Sequence, residues 1–171
     1  MVSIVTAGKK DFQLVSEVGR LTFLESHGHS APPVVINNYV KEKFNTGAVK
    51  AELNEPANIF HIITYNNKPA GYSKIILNTI HPAIKEKNIT KLERLYLLKE
   101  FYDLKLGYRL FQFNSDISKR SKQAGMWLYT WKENQRAINF YKNNGFEIIG
   151  SYDFKLSESH SNPNYLMFLQ Y

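Results

Sequence analysis

The sequence predicts a mixed α/β domain whose sheet is part meander and part βαβ unit. Strand and helix patterns occur in the order strand, two or three helices, three strands, helix, strand, helix and two strands. Strands alternate with helices only in the second half of the chain, which indicates a mixed sheet. The length of 171 residues fits one domain, covering residues 1–171.

Hydrophobic periodicity predicts the elements of the first half. Val2–Thr6 alternates as a strand does, and Lys10–Glu25 carries apolar residues at helical spacing. Pro32-Pro33 indicates either a turn or the first turn of a second helix. The other predicted elements here are helices over Asn37–Phe44 and Ala48–Leu53 and strands over Asn58–Tyr65 and Ala70–Leu77, with the turn Asn66-Asn67-Lys68-Pro69 between the strands.

The second half alternates more regularly between strands and helices. A polar stretch with one proline, Thr79–Asn88, is predicted to be a loop. The elements predicted after it are a strand over Lys91–Leu98, a helix over Leu106–Ala124, a strand over Met126–Trp131, a short helix over Gln135–Asn143, a strand over Phe146–Leu156, a polar loop over Ser157–Asn164 and a last strand over Tyr165–Gln170.

Composition excludes several classes of protein. The chain has no cysteine, so disulfides, thiolate metal sites and a cysteine nucleophile are excluded. It has no leader pattern and no apolar stretch of about 20 residues, so we expect a cytoplasmic protein without a membrane partner. The net charge of +7 indicates either a solvated basic surface or attraction of a polyanionic cofactor. No nucleic-acid-binding module is recognisable, so no nucleic-acid partner is predicted.

Histidine and carboxylate spacing predicts no metal site. His27 and His29 lie two residues apart between glycine and serine, where they would bind a metal, line a substrate entrance or be solvated. We expect them to be solvated, as such a pair usually is. No set of histidines and carboxylates has a convincing ligand spacing, so no metal is predicted.

The segment Asn134–Gly145 is the most informative part of the chain. Asn134 is placed to cap a short helix by accepting a backbone N–H. Gly145 lies where a left-handed C-terminal cap favours a residue without Cβ. Asn134, Ala137 and Tyr141 then share one helical face with Ile138. An amide, a small residue and a phenol on one face suggest a ligand groove, although an ordinary amphipathic helix is the alternative.

The string Asn134-x-x-Ala137-Ile-x-Phe-Tyr141-x-x-x-Gly145-Phe resembles the acetyl-CoA-binding core of the GCN5-related N-acetyltransferases (GNAT). The resemblance covers nearly the whole chain and is most specific from Leu92 to Phe154. It implies acetyl-CoA as cosubstrate, no metal, and a mostly antiparallel sheet of about seven strands with helices on both faces.

The resemblance also implies a phosphate-binding turn before the fourth helix. Backbone N–H groups at a helix N-terminus would face the pyrophosphate there. The residues in this register are Tyr102, Asp103, Leu104, Lys105, Leu106, Gly107 and Tyr108. Tyr102 replaces the Gln or Arg of the family, and Lys105 replaces its first glycine at a cost of about 1 kcal/mol if φ is positive. We expect the Asp103 side chain to point away from the phosphates.

Two residues are the candidates for acid–base chemistry. Tyr141 matches the tyrosine with which many relatives protonate the leaving thiolate, and its reference pKa of about 10 keeps it protonated. Glu93 matches a strand glutamate that takes the amine proton through water. The alternatives are a packed tyrosine and an exposed acid paired with a cation. The resemblance further places Leu95, Tyr96 and Leu97 along the pantetheine arm, with Asn134 bonding it and Ala137 leaving it room.

The second half of the chain is most similar to the polyamine acetyltransferases, through Trp127–Tyr141 and Gly150–Phe154. This implies a small-molecule primary amine as acceptor, within that subgroup a polyamine. A polycation requires a carboxylate-lined cleft. The acidic candidates for such a cleft are dispersed: Glu25, Glu52, Glu55, Asp153 and Glu158. A protein or peptide amine, a non-catalytic binding module and a homodimeric assembly remain open.

Overall fold

One seven-stranded sheet organises the protein, and its strands lie in the order β1-β2-β3-β4-β5-β7-β6. The computed structural model describes all of residues 1–171. The strands are β1 (Val2–Thr6), β2 (Asn58–Tyr65), β3 (Lys68–Ile76), β4 (Ile89–Leu97), β5 (Gly125–Trp131), β6 (Glu147–Lys155) and β7 (Ser161–Gln170). The helices are α1 (Phe12–His27), α2 (Pro33–Lys43), α3 (Thr46–Asn54), α4 (Leu106–Arg120) and α5 (Gln135–Asn143), with short 3₁₀ turns at Lys9–Asp11 and Lys99–Phe101.

The sheet is mixed and mostly antiparallel, as the resemblance implied. Only β4 and β5 pair in parallel, while the other five neighbouring pairs are antiparallel. The side chains of successive residues of β2 lie on opposite faces of the sheet: Ile62 packs with α1 and α3, and Ile63 packs with α4. Helices therefore cover both faces of the sheet, and the predicted fold class is confirmed.

Most predicted boundaries differ from the observed ones by a few residues, and each larger difference has a local cause. The second helix begins at Pro33, so Pro32-Pro33 forms its first turn rather than a separate turn. The strand predicted from Ala70 begins at Lys68, because Asn66 and Asn67 alone form the hairpin turn with φ of 48° and 63°.

Two later predicted boundaries were wrong: the end of one helix by about one turn, and the start of one strand by about half the strand's length. The helix α4 ends at Arg120 rather than Ala124, because Lys122 takes a left-handed φ of 56°. The last strand begins at Ser161 rather than Tyr165. Its first residues look polar in sequence, yet Asn162 and Asn164 are buried and pair with β6. No helix combines the length and apolar character needed to cross a bilayer.

Candidate functional site

The strands β4 and β5 separate partway along their length and leave an open slot. They pair only at Ile89↔Gly125, Thr90↔Met126 and Lys91↔Trp127. Beyond these pairs β4 continues to Leu97 and β5 to Trp131 without a shared ladder. The opening belongs to a cavity of about 580 Å³, which β4, β5, α1, α2, α5 and the turn before α4 line.

A β-bulge marks the point where β4 leaves β5. Lys74 on β3 pairs with Arg94, whereas the next residue, Ile75, pairs with Leu92. Glu93 is therefore an extra residue in β4, opposite no partner on β3. Such a bulge bends its strand and increases the local twist. The candidate base thus lies at the bend that opens the slot.

Backbone donors of β4 face the slot. Leu98 donates its N–H to the Ala70 carbonyl on β3 at 2.9 Å. Since N–H groups alternate sides along a strand, those of Leu95 and Leu97 point away from β3, toward the side on which β5 has separated. Both residues line the cavity, as does Tyr96. Two unpaired donors in a row can hold an extended ligand.

The turn before α4 forms the floor of the cavity and leaves three further donors free. Arg109 makes the first helical bond, to the Lys105 carbonyl at 3.1 Å. The N–H groups of Leu106, Gly107 and Tyr108 therefore have no partner within the helix. Since a helix N-terminus also carries partial positive charge, these amides form an anion site.

The departures from the family pattern do not prevent the turn from forming. Lys105 adopts the left-handed conformation, with φ 57° and ψ 17°, that a glycine would normally supply. Asp103 also has a positive φ, 65°. Leu104 is 42% exposed and does not line the cavity, unlike the other six predicted residues of this turn.

Arg136 is a residue that the sequence analysis missed. Its guanidinium stacks 4.1 Å from the Tyr102 ring centroid and bonds the Asp103 carboxylate at 3.1 Å. It therefore brings a cation to the place where Tyr102 replaces the family's Gln or Arg, and it compensates the charge of Asp103, whose side chain is largely exposed. No spacing within the turn could reveal Arg136, because it comes from the first turn of α5.

Gly107 has no packing role within the protein. A Cβ built there would lie 3.5 Å from Leu97 Cδ1 and 3.9 Å from Phe140 Cε2, which are ordinary contacts. Gly107 lines the cavity. A glycine that the protein itself does not require is consistent with close approach of a ligand.

The helix α5 presents the predicted face to the cavity, with one exception. The Asn134 side-chain oxygen accepts the Ala137 N–H at 3.1 Å, and Gly145 has a φ of 89°, so both predicted caps are confirmed. The cap uses the Asn134 oxygen and leaves its amide N–H groups for a ligand. Ala137 and Tyr141 line the cavity, whereas Ile138 packs into the interior and does not.

Tyr141 sits at the inner wall of the cavity. It is 9% exposed and packs with Leu92, Phe111 and Phe146. Burial, together with the nearby Tyr96 phenol, raises the pKa of Tyr141 above its ordinary value. The hydroxyl therefore stays protonated at neutral pH and can serve as a proton donor.

Glu93 is held in a network of charges. It accepts a bond from Lys74 Nζ at 2.9 Å and lies 3.5 Å from Lys91 Nζ. Burial by itself would raise the pKa of Glu93, but Lys74, Lys91 and Arg94 together lower it below its ordinary value. The carboxylate is therefore ionised at neutral pH and only weakly basic. Of the alternatives left open for Glu93, cation pairing is observed, and the side chain also lines the cavity.

Aromatic rings form another part of the cavity lining, which meets β4 where the His27 ring lies 5.9 Å from the Tyr96 ring. This part of the lining, hereafter the aromatic wall, consists of Phe23, His27, Tyr39, Phe44, Trp131 and Phe154. The expectation that His27 is solvated was wrong, because α1 extends to His27 and places its ring against Phe23, 5.1 Å between centroids. His29 is exposed and packs at 5.3 Å on Trp131. No group of three or more His, Cys, Asp or Glu side chains could hold a metal ion.

Comparison with known proteins adds a family and a set of similar folds. A model of the acetyltransferase (GNAT) family matches residues 23–146. An uncharacterized N-acetyltransferase from the pepI 3′ region of Lactobacillus delbrueckii subsp. lactis is 26% identical over 92% of this chain and 91% of its own.

Two solved structures share the fold at low identity. The PaiA N-acetyltransferase of Thermoplasma acidophilum, in complex with coenzyme A, has a TM-score of 0.79 and 20% identity, covering 100% of this chain and 99% of its own. A GNAT acetyltransferase of Streptococcus pneumoniae has a TM-score of 0.74 and 22% identity, covering 100% of both chains.

Proposed function

The chain belongs to the acetyltransferase (GNAT) family, and on this premise we propose that it transfers an acetyl group from acetyl-CoA to a primary amine of a small molecule. The observation that carries the proposal is the slot between β4 and β5, which ends at the free amides of α4. The slot has the free backbone donors and the anion site that pantetheine and its pyrophosphate require.

Each part of the cofactor has a counterpart in the cavity. The N–H groups of Leu95 and Leu97 would donate to amide carbonyls of the pantetheine arm, and the Asn134 side chain would add a donor. The N–H groups of Leu106, Gly107 and Tyr108 would hold the pyrophosphate. Lys105 and Arg136 supply the positive charge, which strengthens hydrogen bonds to an anion.

The reaction is direct attack within a ternary complex. The amine nitrogen forms a bond to the thioester carbonyl carbon, and the C–S bond then breaks. Tyr141 donates its proton to the departing thiolate sulfur. The amine proton passes through water to Glu93, which is ionised but held by Lys74. Because its pKa is lowered, Glu93 does not keep this proton and passes it to bulk solvent, from which the Tyr141 phenolate is protonated again.

A non-catalytic role was the alternative that Tyr102 and Lys105 favoured. The structure offers compensation at both positions, since Lys105 adopts the required backbone conformation and Arg136 supplies the missing cation. This supports cofactor binding and weakens that alternative.

The polyamine acceptor stays a prediction, and the cavity gives it little support. Of the five acidic candidates none lines the cavity. Glu52 is bound to Lys74 and to both terminal nitrogens of Arg94, and Glu25 accepts the Lys99 N–H. A peptide amine as acceptor, a cytoplasmic location and a homodimer also stay predictions.

Calorimetry with acetyl-CoA, followed by a thiol-release assay with a panel of primary amines, tests the proposed function. We expect saturable heat and amine-dependent release of CoA. Absence of both heat and thermal shift at millimolar acetyl-CoA would end the proposal. Binding without thiol release for any amine would instead favour the non-catalytic module.

A further inference from the structure

The aromatic wall is the part of the cavity to which the proposed function assigns no part of the cofactor. Its rings form a continuous series: Trp131 lies 5.8 Å from His27, His27 5.1 Å from Phe23, and Phe23 4.9 Å from Tyr39. Phe154 continues the series 6.2 Å from Tyr39. These distances are typical of interacting rings, and a flat ring on the substrate can join such a series by stacking or edge contact.

The charges beside this wall do not favour a polycation. Three cations, Lys74, Lys91 and Arg94, face two carboxylates, Glu52 and Glu93. Each carboxylate already has at least two cationic neighbours. Of the two carboxylates only Glu93 lines the cavity, so a substrate with several ammonium groups would find one carboxylate and a local excess of positive charge. A monoamine requires no more than Glu93.

His27 adds no charge to the wall. Ser26 Oγ has one hydrogen, which it donates to the Thr22 carbonyl at 2.7 Å. In its other 2.7 Å contact Ser26 Oγ is therefore the acceptor, and His27 Nδ1 is the donor. The ring is then the Nδ1–H tautomer with a lone pair on Nε2. Burial, with a smaller effect of His29, lowers the pKa of His27 to about 4, so the ring is neutral at pH 7.

One polar atom on the same side of the cavity lacks a partner. Asn164 pairs with Trp131 across β5 and β7, is 8% exposed and lines the cavity. Its side-chain oxygen is buried and accepts no hydrogen bond from the protein. A buried acceptor without a donor costs free energy, and a substrate N–H or O–H would remove that cost.

Resting on the proposed function, we infer that the acceptor is a primary monoamine with a flat aromatic body that carries a hydrogen-bond donor, such as an indole N–H or a phenol O–H. The ring packs against the aromatic wall, its donor bonds Asn164 Oδ1 once the buried amide of Asn164 turns toward the cavity, and the amine reaches the thioester near Glu93. The transfer forms the amide C–N bond and breaks the thioester C–S bond, with the proton ending on the CoA thiol.

An acceptor panel tests the inference with the full chain and acetyl-CoA. The panel consists of tryptamine, tyramine, phenethylamine, hexylamine, spermidine and a short unblocked peptide. We expect kcat/KM for tryptamine or tyramine to exceed that for spermidine by at least about tenfold, as one or two ring contacts allow. Tyramine should exceed phenethylamine, which lacks the donor, by roughly two- to tenfold.

The outcomes separate this inference from the proposed function. If spermidine, hexylamine or the peptide is the best acceptor, the inference is overturned and the acetyltransferase proposal stands. If acetyl-CoA binds and no aromatic amine is acetylated, the inference is also overturned. If acetyl-CoA does not bind, both fail together.

Variants of the wall give a second readout. Phe154→Leu and Trp131→Leu should raise KM for tryptamine by roughly three- to tenfold and leave the Kd of acetyl-CoA unchanged. Phe113→Leu is the matched control, because Phe113 is a half-buried ring that packs on His61 outside the cavity. Phe154 is less buried than Trp131, so its variant keeps the test valid if Trp131→Leu does not fold. An unchanged KM in Phe154→Leu contradicts the inference.

Discussion

At the scale of single residues, Tyr141 shows how packing prepares a side chain for chemistry. It is buried against the core through Phe111 and Phe146, yet it lines the cavity. Burial disfavours the phenolate and raises the pKa of Tyr141. The same contacts that fix its position therefore keep it in the acid form.

Replacing Tyr141 with phenylalanine removes only the hydroxyl. Tyr141→Phe should lower kcat by at least about a hundredfold, the usual lower contribution of a general acid, with little change in the Kd of acetyl-CoA. Because burial raises the pKa of Tyr141, its ionisation should cause no alkaline fall in the wild-type pH–rate profile up to about pH 10, and the variant should be slower than the wild type throughout that range. Tyr65→Phe, on β2 outside the cavity, is the control. A variant that keeps the wild-type kcat across this pH range would argue against the acid role.

Gly107 allows a second test at the residue scale. Gly107→Ala should fold with wild-type stability, since its Cβ meets side chains only at 3.5 and 3.9 Å. It should raise the Kd of acetyl-CoA by roughly tenfold, because a methyl group beside the free amides obstructs the pyrophosphate. Calorimetry and thermal melting measure the two effects.

Gly150→Ala is the matched control for this substitution. Its Cβ would meet Leu166 at 3.5 and 3.7 Å, and Gly150 lies outside the cavity. Equal losses of affinity in the two variants, or a loss of stability in Gly107→Ala alone, would contradict a ligand-related role for Gly107.

At the scale of elements, the bulge in β4 that opens the slot is also the place where a network of ion pairs stabilises the fold. Glu93 at the bulge pairs with the buried Lys74, which also binds Glu52 on α3. A buried ammonium is tolerated only with such partners. The network therefore fastens α3 to β3 and β4 at the place where β4 leaves β5.

Because of this network, we predict that the free energy of unfolding depends on pH in the acid range. Lys74, Lys91 and Arg94 lower the folded-state pKa of Glu93 below the ordinary value of 4.5. The resulting stabilisation is fully present above pH 4.5 and is lost as pH falls through the lower folded-state pKa. The free energy of unfolding, measured by urea titration from about pH 6 to 3, should therefore fall less in Glu93→Gln than in the wild type.

The exposed acid Glu147 on β6 supplies the comparison for this titration. Glu147→Gln should retain the wild-type pH dependence. If Glu93→Gln and Glu147→Gln follow the same curve as the wild type, the ion pairs at the bulge contribute nothing to stability.

At the scale of the whole molecule, the sequence predicted what local patterns encode. Val2–Thr6, Asn58–Tyr65 and Gln135–Asn143 have the predicted bounds, because alternation or capping marks both ends. The caps at Asn134 and Gly145 were also predicted correctly, because a single residue type marks each of them. The start of β7 at Ser161 was missed, because burial of Asn162 and Asn164 depends on β6 rather than on their own polarity.

The parts of the cavity that were not predicted come from distant segments. Arg136 reaches the turn at Asp103 across 33 residues of sequence, and His27 meets Trp131 across more than a hundred. Such contacts leave no periodic signal. The bulge at Glu93 was also invisible, because only the register with β3 shows the extra residue.

The central claim is that the slot between β4 and β5 holds the pantetheine arm of acetyl-CoA. A crystal structure of the protein with bound CoA tests this most directly. We predict the arm in the slot between β4 and β5, beside α5, with the N–H groups of Leu95 and Leu97 bonded to its amide carbonyls and the pyrophosphate at the N–H groups of Leu106–Tyr108. CoA bound elsewhere, or an extended β4–β5 ladder that closes the slot, would contradict the account.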